Sequence, residues 1–179
     1  MKKNVITLIL IFSACVNFAF SQVGNISNLD TKYGLNKFKL EDPYSKYKNQ
    51  TKLIEYSGVY VPPKKNTKEY YYTGKDIDKI LDHSVSEIKL IFIKEKLSSI
   101  HVFFNDNLTD YQNNRIYEKL EALFGTPSAS NPPGMYGSKF TYSWITYKTQ
   151  LLFAQPEGHG SQMMISSRIL LMERDNDEF

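Results

Sequence analysis

A short glycine-rich loop holds the residues of this chain that are best suited to acid–base chemistry. Glu157 and His159 stand in residues 156–162 (PEGHGSQ), where a glycine flanks the histidine on each side. Imidazole and carboxylate groups exchange protons near neutral pH, and glycine lets the backbone approach a ligand closely. A small enzyme of the hydrolase type, with its acid/base pair here, is therefore one hypothesis. The same composition is also typical of a plain hairpin tip, so that alternative stays open.

Tyrosine is the compositional oddity of the chain, with 13 residues and the consecutive run Tyr70-Tyr71-Tyr72. Successive side chains of a strand point to opposite faces, so at least one of the three must leave the core. Exposed tyrosine supplies a large contact area and a hydroxyl at little cost in rotamer entropy. Tyr70 and Tyr72, together with Tyr56 and Tyr60, are predicted to form an aromatic face suited to a protein or a glycan. The alternative is that tyrosine is simply a good strand former.

A run of turn-forming residues at 125–138 (GTPSASNPPGMYGS) is a further candidate contact region. Loops of this length are uncommon in compact domains and are usually functional or disordered. Met135 and Tyr136 would supply apolar contacts to a partner from this loop. A disordered tether between two structural elements is the alternative.

Motifs for metal, cofactor or nucleophile chemistry are not found in the sequence. His83, His101 and His159 are too far apart in sequence to form a local metal motif. Residues 105–110 (NDNLTD) offer oxygen ligands but lack the glycine of a calcium loop, and Ile116 stands where its glutamate belongs. HExxH, GxSxG and phosphate-loop patterns are missing as well. We therefore predict no cofactor, no metal and no catalytic residue with a recognisable signature.

One amphipathic helix is predicted at about 109–124 (TDYQNNRIYEKLEALF). Its apolar residues recur at i, i+4, i+7 and i+8 from Ile116, which makes a single stripe. Thr109 and Gln112 fit a capping box at the start. Gly125 stands where a left-handed C-terminal cap is expected, and a proline two residues later prevents continuation.

Alternating apolar residues predict strands both before and after this helix in the sequence. The segment 88–93 (IKLIFI) is apolar on both faces, which predicts an interior strand. Short connections between neighbouring strands favour antiparallel pairing. The predicted fold class is therefore α+β, a mostly antiparallel sheet built from hairpins with one main helix packed on one face. The other predicted strands are 54–61, 67–73, 97–104, 140–147 and 150–155, with a final strand or two in 163–172.

The ends of the chain differ in character from this predicted single domain at 36–172. Residues 22–35 are polar and lack periodicity, which predicts a flexible lead-in. Residues 173–179 (ERDNDEF) form an acidic tail that is expected to fray.

Three sequence blocks resemble small, mostly uncharacterised exported proteins of Bacteroidota-type bacteria. The blocks are IKLIFIKEKLSSIHVFF, LEALFGTP and YSWITY. The resemblance implies an α+β fold and an export route. It implies no catalytic residues.

The first 21 residues have the order of a secretory signal peptide. Two lysines precede an apolar run, and small residues stand before a cleavage point after Ser21. The run is interrupted by polar residues and is short for a transmembrane anchor. A lipoprotein signal that uses Cys15 is the remaining alternative, and it would tether the protein to a membrane. The protein is thus predicted to be periplasmic or secreted, and to have no membrane contact unless Cys15 is lipidated.

Removal of this segment changes the composition of the working domain. Cys15 is the one cysteine of the chain, so a mature domain of 158 residues would have no thiol. Two lysines also leave, and the formal charge falls from +3 to +1. A nearly neutral domain argues against nucleic acid as a partner.

The leading functional hypothesis is an exported, non-catalytic binding module for an unknown protein or glycan. It would use the tyrosine-rich sheet surface and the loops at 125–138 and 156–162. Two alternatives remain at this stage. One is the small exported enzyme with Glu157 and His159, and the other is an inhibitor or immunity-type partner of another exported protein.

Overall fold

A computed structural model describes residues 24–56, 64, 66–105, 108–131 and 138–176. The predicted signal peptide with Cys15, and the residues Tyr60, Met135 and Tyr136, lie outside these ranges. The helices are α1 (Ser27–Lys32), α2 (Asp110–Phe124) and α3 (Arg168–Asn176), with single 3₁₀ turns at Tyr44–Lys46 and Lys48–Gln50. The strands are β1 (Gly34–Leu35), β2 (Phe38–Lys39), β3 (Thr51–Leu53), β4 (Thr67–Tyr72), β5 (Lys79–Ile80), β6 (His83–Ile93), β7 (Lys96–Phe104), β8 (Ala129–Asn131), β9 (Ser138–Ile145), β10 (Thr149–Pro156) and β11 (Gln162–Ser167).

An antiparallel sheet organises the molecule. Its strand order is β3-β4-β6-β7-β11-β10-β9-β8, and β5 pairs with β6 beside this path. Every pairing in the sheet is antiparallel, while β1 and β2 form a separate small ribbon. The longest described helix, α2, packs on one face. The predicted α+β class with a mostly antiparallel sheet is therefore confirmed.

The hairpin of β6 and β7 forms the centre of the sheet as predicted. Leu90 lies opposite Ile100 in the register, and both side chains are fully buried. The two-residue turn Lys94-Glu95 has φ values of 49° and 62°. Both values match a type I′ turn, whose twist suits the right-handed twist of the paired strands.

Helix α2 begins and ends where its sequence signals stand. The Thr109 hydroxyl accepts a hydrogen bond from the Gln112 backbone N–H at 3.3 Å, and the Gln112 side chain accepts one from the Thr109 N–H at 2.9 Å. Gly125 ends the helix with φ 78°. The Trp144 indole N–H donates to the Gly125 carbonyl at 2.6 Å, and this contact ties β9 to the helix end.

The segment 22–35 is not a flexible lead-in over its described part, which corrects the prediction. Residues 27–32 form α1, and Leu29 is fully buried in the core. The Asn28 side-chain amide donates to the Leu123 carbonyl of α2 at 3.0 Å. A helix of six residues with one buried side chain leaves no periodic pattern in the sequence. Helix α1 is therefore stabilised by its contacts with the core and with α2, and not by a helix-forming pattern of its own.

The end of the chain also differs from the prediction. The last strand ends at Ser167, and α3 follows where a continued strand to residue 172 was expected. The Ser167 hydroxyl accepts a hydrogen bond from the Leu170 backbone N–H at 3.3 Å, which favours the start of a helix. Leu170 is buried, so α3 is anchored and includes residues 173–176 of the predicted acidic tail.

Two further segments are placed differently from the prediction. The strand that pairs with β4 is β3 at 51–53, ahead of the expected 54–61, of which 57–61 lie outside the described residues. The predicted loop 125–138 contains β8, which pairs with β9 at the edge of the sheet. Both are edge strands of three residues, whose short pattern is too weak to be found by alternation.

Candidate functional site

The two faces of the sheet have different surroundings. One face, the covered face, packs against α1, α2 and the segment 33–50, and it supplies most of the core. The opposite face, which we call the open face, is contacted by α3 at one end. The registers of β4, β6, β7 and β11 place alternate residues on it. These include Thr67, Glu69, Tyr71, Glu87, Lys89, Ile91, Ser99, His101, Phe103, Gln162, Met164 and Ser166.

The predicted tyrosine surface belongs to the covered face. Tyr70 is 6% exposed; it stacks on Tyr44 at a centroid distance of 4.6 Å and meets Phe92 edge-on at 5.6 Å. Tyr72 packs edge-on against Phe38 at 5.0 Å. The alternation correctly predicted that Tyr70 and Tyr72 share a face, but that face is packed. Tyr71 is the member of the run that lies on the open face.

Glu157 and His159 lie at the tip of the β10–β11 hairpin, and both are exposed. The His159 backbone N–H donates to the Pro156 carbonyl at 3.1 Å, and Gly158 has φ 76°. These features are those of a tight turn. Neither side chain lines the cleft described below. Within the described ranges, no group of three or more histidine, cysteine, aspartate or glutamate side chains is arranged to hold a metal ion.

A cation between two aromatic rings is the main feature of the open face. The Lys89 ammonium lies 5.4 Å from the ring centroid of Tyr71 and 4.9 Å from that of Phe103. Its Nζ is 3.4 Å from Oε1 of Glu87. Cation–π contacts of this kind stabilise a partly exposed ammonium by about 0.5–1 kcal/mol each. The two contacts together favour this placement of the ammonium between the rings.

His101 extends this arrangement along β7. Its ring lies 4.1 Å from that of Phe103, and its Nε2 is 2.9 Å from Oε1 of Gln162. Burial lowers the pKa of His101 below its usual 6.5, so the ring is neutral at neutral pH and donates from Nε2 to the amide oxygen. We call Tyr71, Glu87, Lys89, His101, Phe103 and Gln162 the Lys89 cluster.

A cleft of about 390 Å³ lies between the open face and α3. This volume falls within the range of about 300–1,000 Å³ that is usual for small-molecule sites. We call it the α3 cleft. Met164, one of its lining residues, pairs with His101 and therefore lies beside the Lys89 cluster. The lining residues are Lys64, Thr67, Glu69, Ile91, Ser99, Met164 and Ser166, with Leu171 and Arg174 from α3.

Two hydroxyl groups in this cleft are buried without a hydrogen-bond partner among the described residues. They are Oγ1 of Thr67 and Oγ of Ser166, and Ser166 is 2% exposed. A buried hydroxyl without a partner costs about 1–3 kcal/mol, and native proteins keep few of them. Both residues line the cleft, so rotation about χ1 would bring either hydroxyl to a molecule bound there.

The charged side chains around the cleft balance one another. Lys64 Nζ lies 3.1 Å from Oδ1 of Asp175, and Arg174 Nη2 lies 2.8 Å from the same oxygen. Hydrogen bonds from Lys64 and Arg174 lower the pKa of this carboxyl below its usual value. On the opposite side, the Tyr56 hydroxyl donates to Glu69. Two cations thus stand beside two carboxylates.

A smaller cavity of about 130 Å³ lies on the covered side, between α2 and the sheet. It is lined mainly by apolar side chains, among them Leu35, Leu123 and Leu151. Its volume is well below the usual range for ligand sites, and we treat it as a packing defect of the core.

No known protein family, curated protein or solved structure matches this chain. Among the described helices, none is long and apolar enough to cross a lipid bilayer.

Sequence reasoning missed the α3 cleft, although one signal for it was present. Thr67, Ser99 and Ser166 are small polar residues in β4, β7 and β11. The register places Ser99 and Ser166 in one row across the sheet, and Thr67 stands one row away, opposite Ile93. That register could not be read from the sequence, because β7 and β11 are far apart along the chain.

Proposed function

We propose that the chain is an exported, non-catalytic module that binds a glycan on the open face of its sheet. The Lys89 cluster is the observation that carries the proposal. It combines the rings of Tyr71 and Phe103 with the planar polar side chains of His101 and Gln162. Aromatic rings pack against the apolar face of a sugar, while imidazole and amide groups hydrogen-bond its hydroxyls.

The remaining features support binding in preference to catalysis or nucleic-acid recognition. Glu157 and His159 stand exposed at a hairpin tip, away from the cleft. The domain predicted after signal cleavage is nearly neutral, whereas binding to phosphate backbones requires many cations. The order of the first 21 residues, together with the resemblance to exported proteins, supports export.

A glycan array tests this function with matched aromatic variants. The chain from residue 22 is compared with its Phe103→Ala and Tyr71→Ala variants, and with Tyr111→Ala as control. Tyr111 is 72% exposed on α2, outside the open face. We expect the unmodified chain and the control to retain the same glycans, and both open-face variants to lose them.

Three results would contradict the proposal. The first is that no glycan is retained by the unmodified chain. The second is that the Tyr111→Ala control loses binding as much as the open-face variants do. The third is turnover of a glycan that disappears on His159→Ala, which would make the chain an enzyme. A stable stoichiometric complex with another exported protein, without glycan binding, would assign the open face to an inhibitor or immunity-type interaction.

A further inference from the structure

We infer that the α3 cleft binds one neutral, polyhydroxylated ring, a single sugar unit of the glycan. The inference rests on the proposed function and adds a site and a ligand class to it. The cleft is continuous with the Lys89 cluster, because Met164 lines the cleft and pairs with His101. A glycan that lies on the cluster can therefore place one ring beneath α3.

The polar atoms of the cleft require a ligand that both donates and accepts hydrogen bonds. Oγ1 of Thr67 and Oγ of Ser166 are each able to donate one hydrogen bond and to accept others, and both lack a partner. Sugar hydroxyls have the same dual capacity. They can satisfy both groups once rotation about χ1 turns the Thr67 and Ser166 hydroxyls into the cleft.

The apolar part of the lining fits the same class of ligand. Ile91 and Met164 lie on the sheet side of the cleft, and Leu171 faces it from α3. A sugar ring has apolar C–H faces and a polar rim of hydroxyls. The cleft offers apolar side chains together with Thr67 and Ser166 hydroxyls, so both parts of such a ring find a partner.

The charge balance of the cleft favours a neutral ligand over an ion. An anion such as phosphate would lie near Glu69 and would compete with Asp175 for Lys64 and Arg174. A cation would meet the same two basic side chains. A neutral ring leaves these pairs intact and can accept hydrogen bonds from Arg174.

The test measures binding of free sugars to the chain from residue 22 by NMR chemical-shift titration. The probes are glucose, galactose, mannose and N-acetylglucosamine, with inorganic phosphate and acetate as charged comparators. The variants are Ser166→Ala and Thr67→Val. The control is Thr149→Val, which removes a buried, unpartnered hydroxyl on the covered face, outside the cleft.

We expect at least one neutral sugar to shift resonances of β11 and α3. Each cleft variant should weaken that binding about three- to tenfold, the usual effect of one lost hydrogen bond. Thr149→Val should bind like the unmodified chain. All three variants should keep or raise the melting temperature, since each hydroxyl lacks a partner. That result separates lost binding from unfolding.

The outcomes also separate this inference from the proposed function. If phosphate or acetate binds in the cleft in place of sugars, or if Thr149→Val weakens sugar binding as much as the cleft variants, the inference is refuted. If the array shows glycan binding that depends on Phe103 while no free sugar perturbs the cleft, the inference fails and the proposed function stands. If the array shows no glycan binding at all, both fail.

Discussion

Replacing Leu29 by alanine is the most direct test of how the N-terminal helix is held. Leu29 is fully buried in the core, although it lies in a segment whose sequence predicts flexibility. Helix α1 has six residues, and an isolated helix of that length is unstable in water. The helix must therefore depend on packing, and Leu29 is its one buried side chain.

The expected loss follows from the burial of this side chain. Transfer of a leucine side chain from water into an apolar interior stabilises a protein by about 1.5–3 kcal/mol, and the cavity left by Leu→Ala adds to the loss. Measured Leu→Ala losses in cores run from about 2 to 5 kcal/mol. Because α1 is short, it can move to fill part of the cavity, so we expect about 3 kcal/mol. In a domain of this size that corresponds to a fall in melting temperature of about 6–12 °C.

Thermal and urea unfolding of the chain from residue 22 measures this loss against a matched control. Leu53→Ala makes the same change in the edge strand β3, where the side chain is 46% exposed. We expect the control to lose less than about 1 kcal/mol. If the two variants are equally stable, α1 is not packed on the core and the segment 22–35 behaves as the sequence predicted.

Three further predictions concern a helix end, a buried histidine and the mature N-terminus. Gly125→Ala should lower the free energy of unfolding in urea by about 1–3 kcal/mol, because φ is 78° and a Cβ would lie 2.6 Å from the Gly24 carbonyl oxygen. A loss below about 0.5 kcal/mol would contradict this prediction. Burial lowers the folded pKa of His101 below the unfolded value of 6.5, so the unfolded state binds the proton first. The contribution of His101 to the free energy of unfolding is then complete above pH 6.5 and decreases as the pH falls through the folded pKa. NMR titration of His101, and a comparison of the pH dependence of stability with that of His101→Gln, will measure this decrease. Mass spectrometry of the mature protein should find Gln22 at its N-terminus, as the predicted cleavage after residue 21 requires, and a lipidated Cys15 would refute that cleavage.

The elements that sequence analysis predicted correctly are those whose signals are local. Helix α2 carries its own cap at Thr109 and Gln112 and its own apolar stripe, so neighbouring residues determine where it begins. The β6–β7 hairpin likewise pairs residues that are close along the chain. Helices α1 and α3 were missed because their order depends on contacts with distant residues. Leu29 and Leu170 are buried by the rest of the core, which no local pattern reveals.

The candidate site was less predictable than the fold. Alternation showed that Tyr70 and Tyr72 share a face, but whether that face is packed depends on α1, α2 and the segment 33–50. The α3 cleft draws on β4, β6, β7, β11 and α3, whose order in the sheet is set by pairing over long distances. Chemistry assembled from so many separate elements leaves no spacing motif in the sequence.

The pairing of β7 with β11 divides the sheet into two halves that differ in how they form. Within the described residues, every other pair in the main sheet joins strands that are consecutive or separated by one short strand. The β7–β11 pair instead aligns Ile100 with Ile165. Loop closure makes such a distant pairing slow, while local hairpins form quickly. We therefore expect two meanders to form first and to dock along this seam, with amide protons of β7 and β11 becoming protected last during refolding. If the chain is divided between α2 and β8 and the two fragments are produced separately, they should then reassemble by pairing β7 with β11.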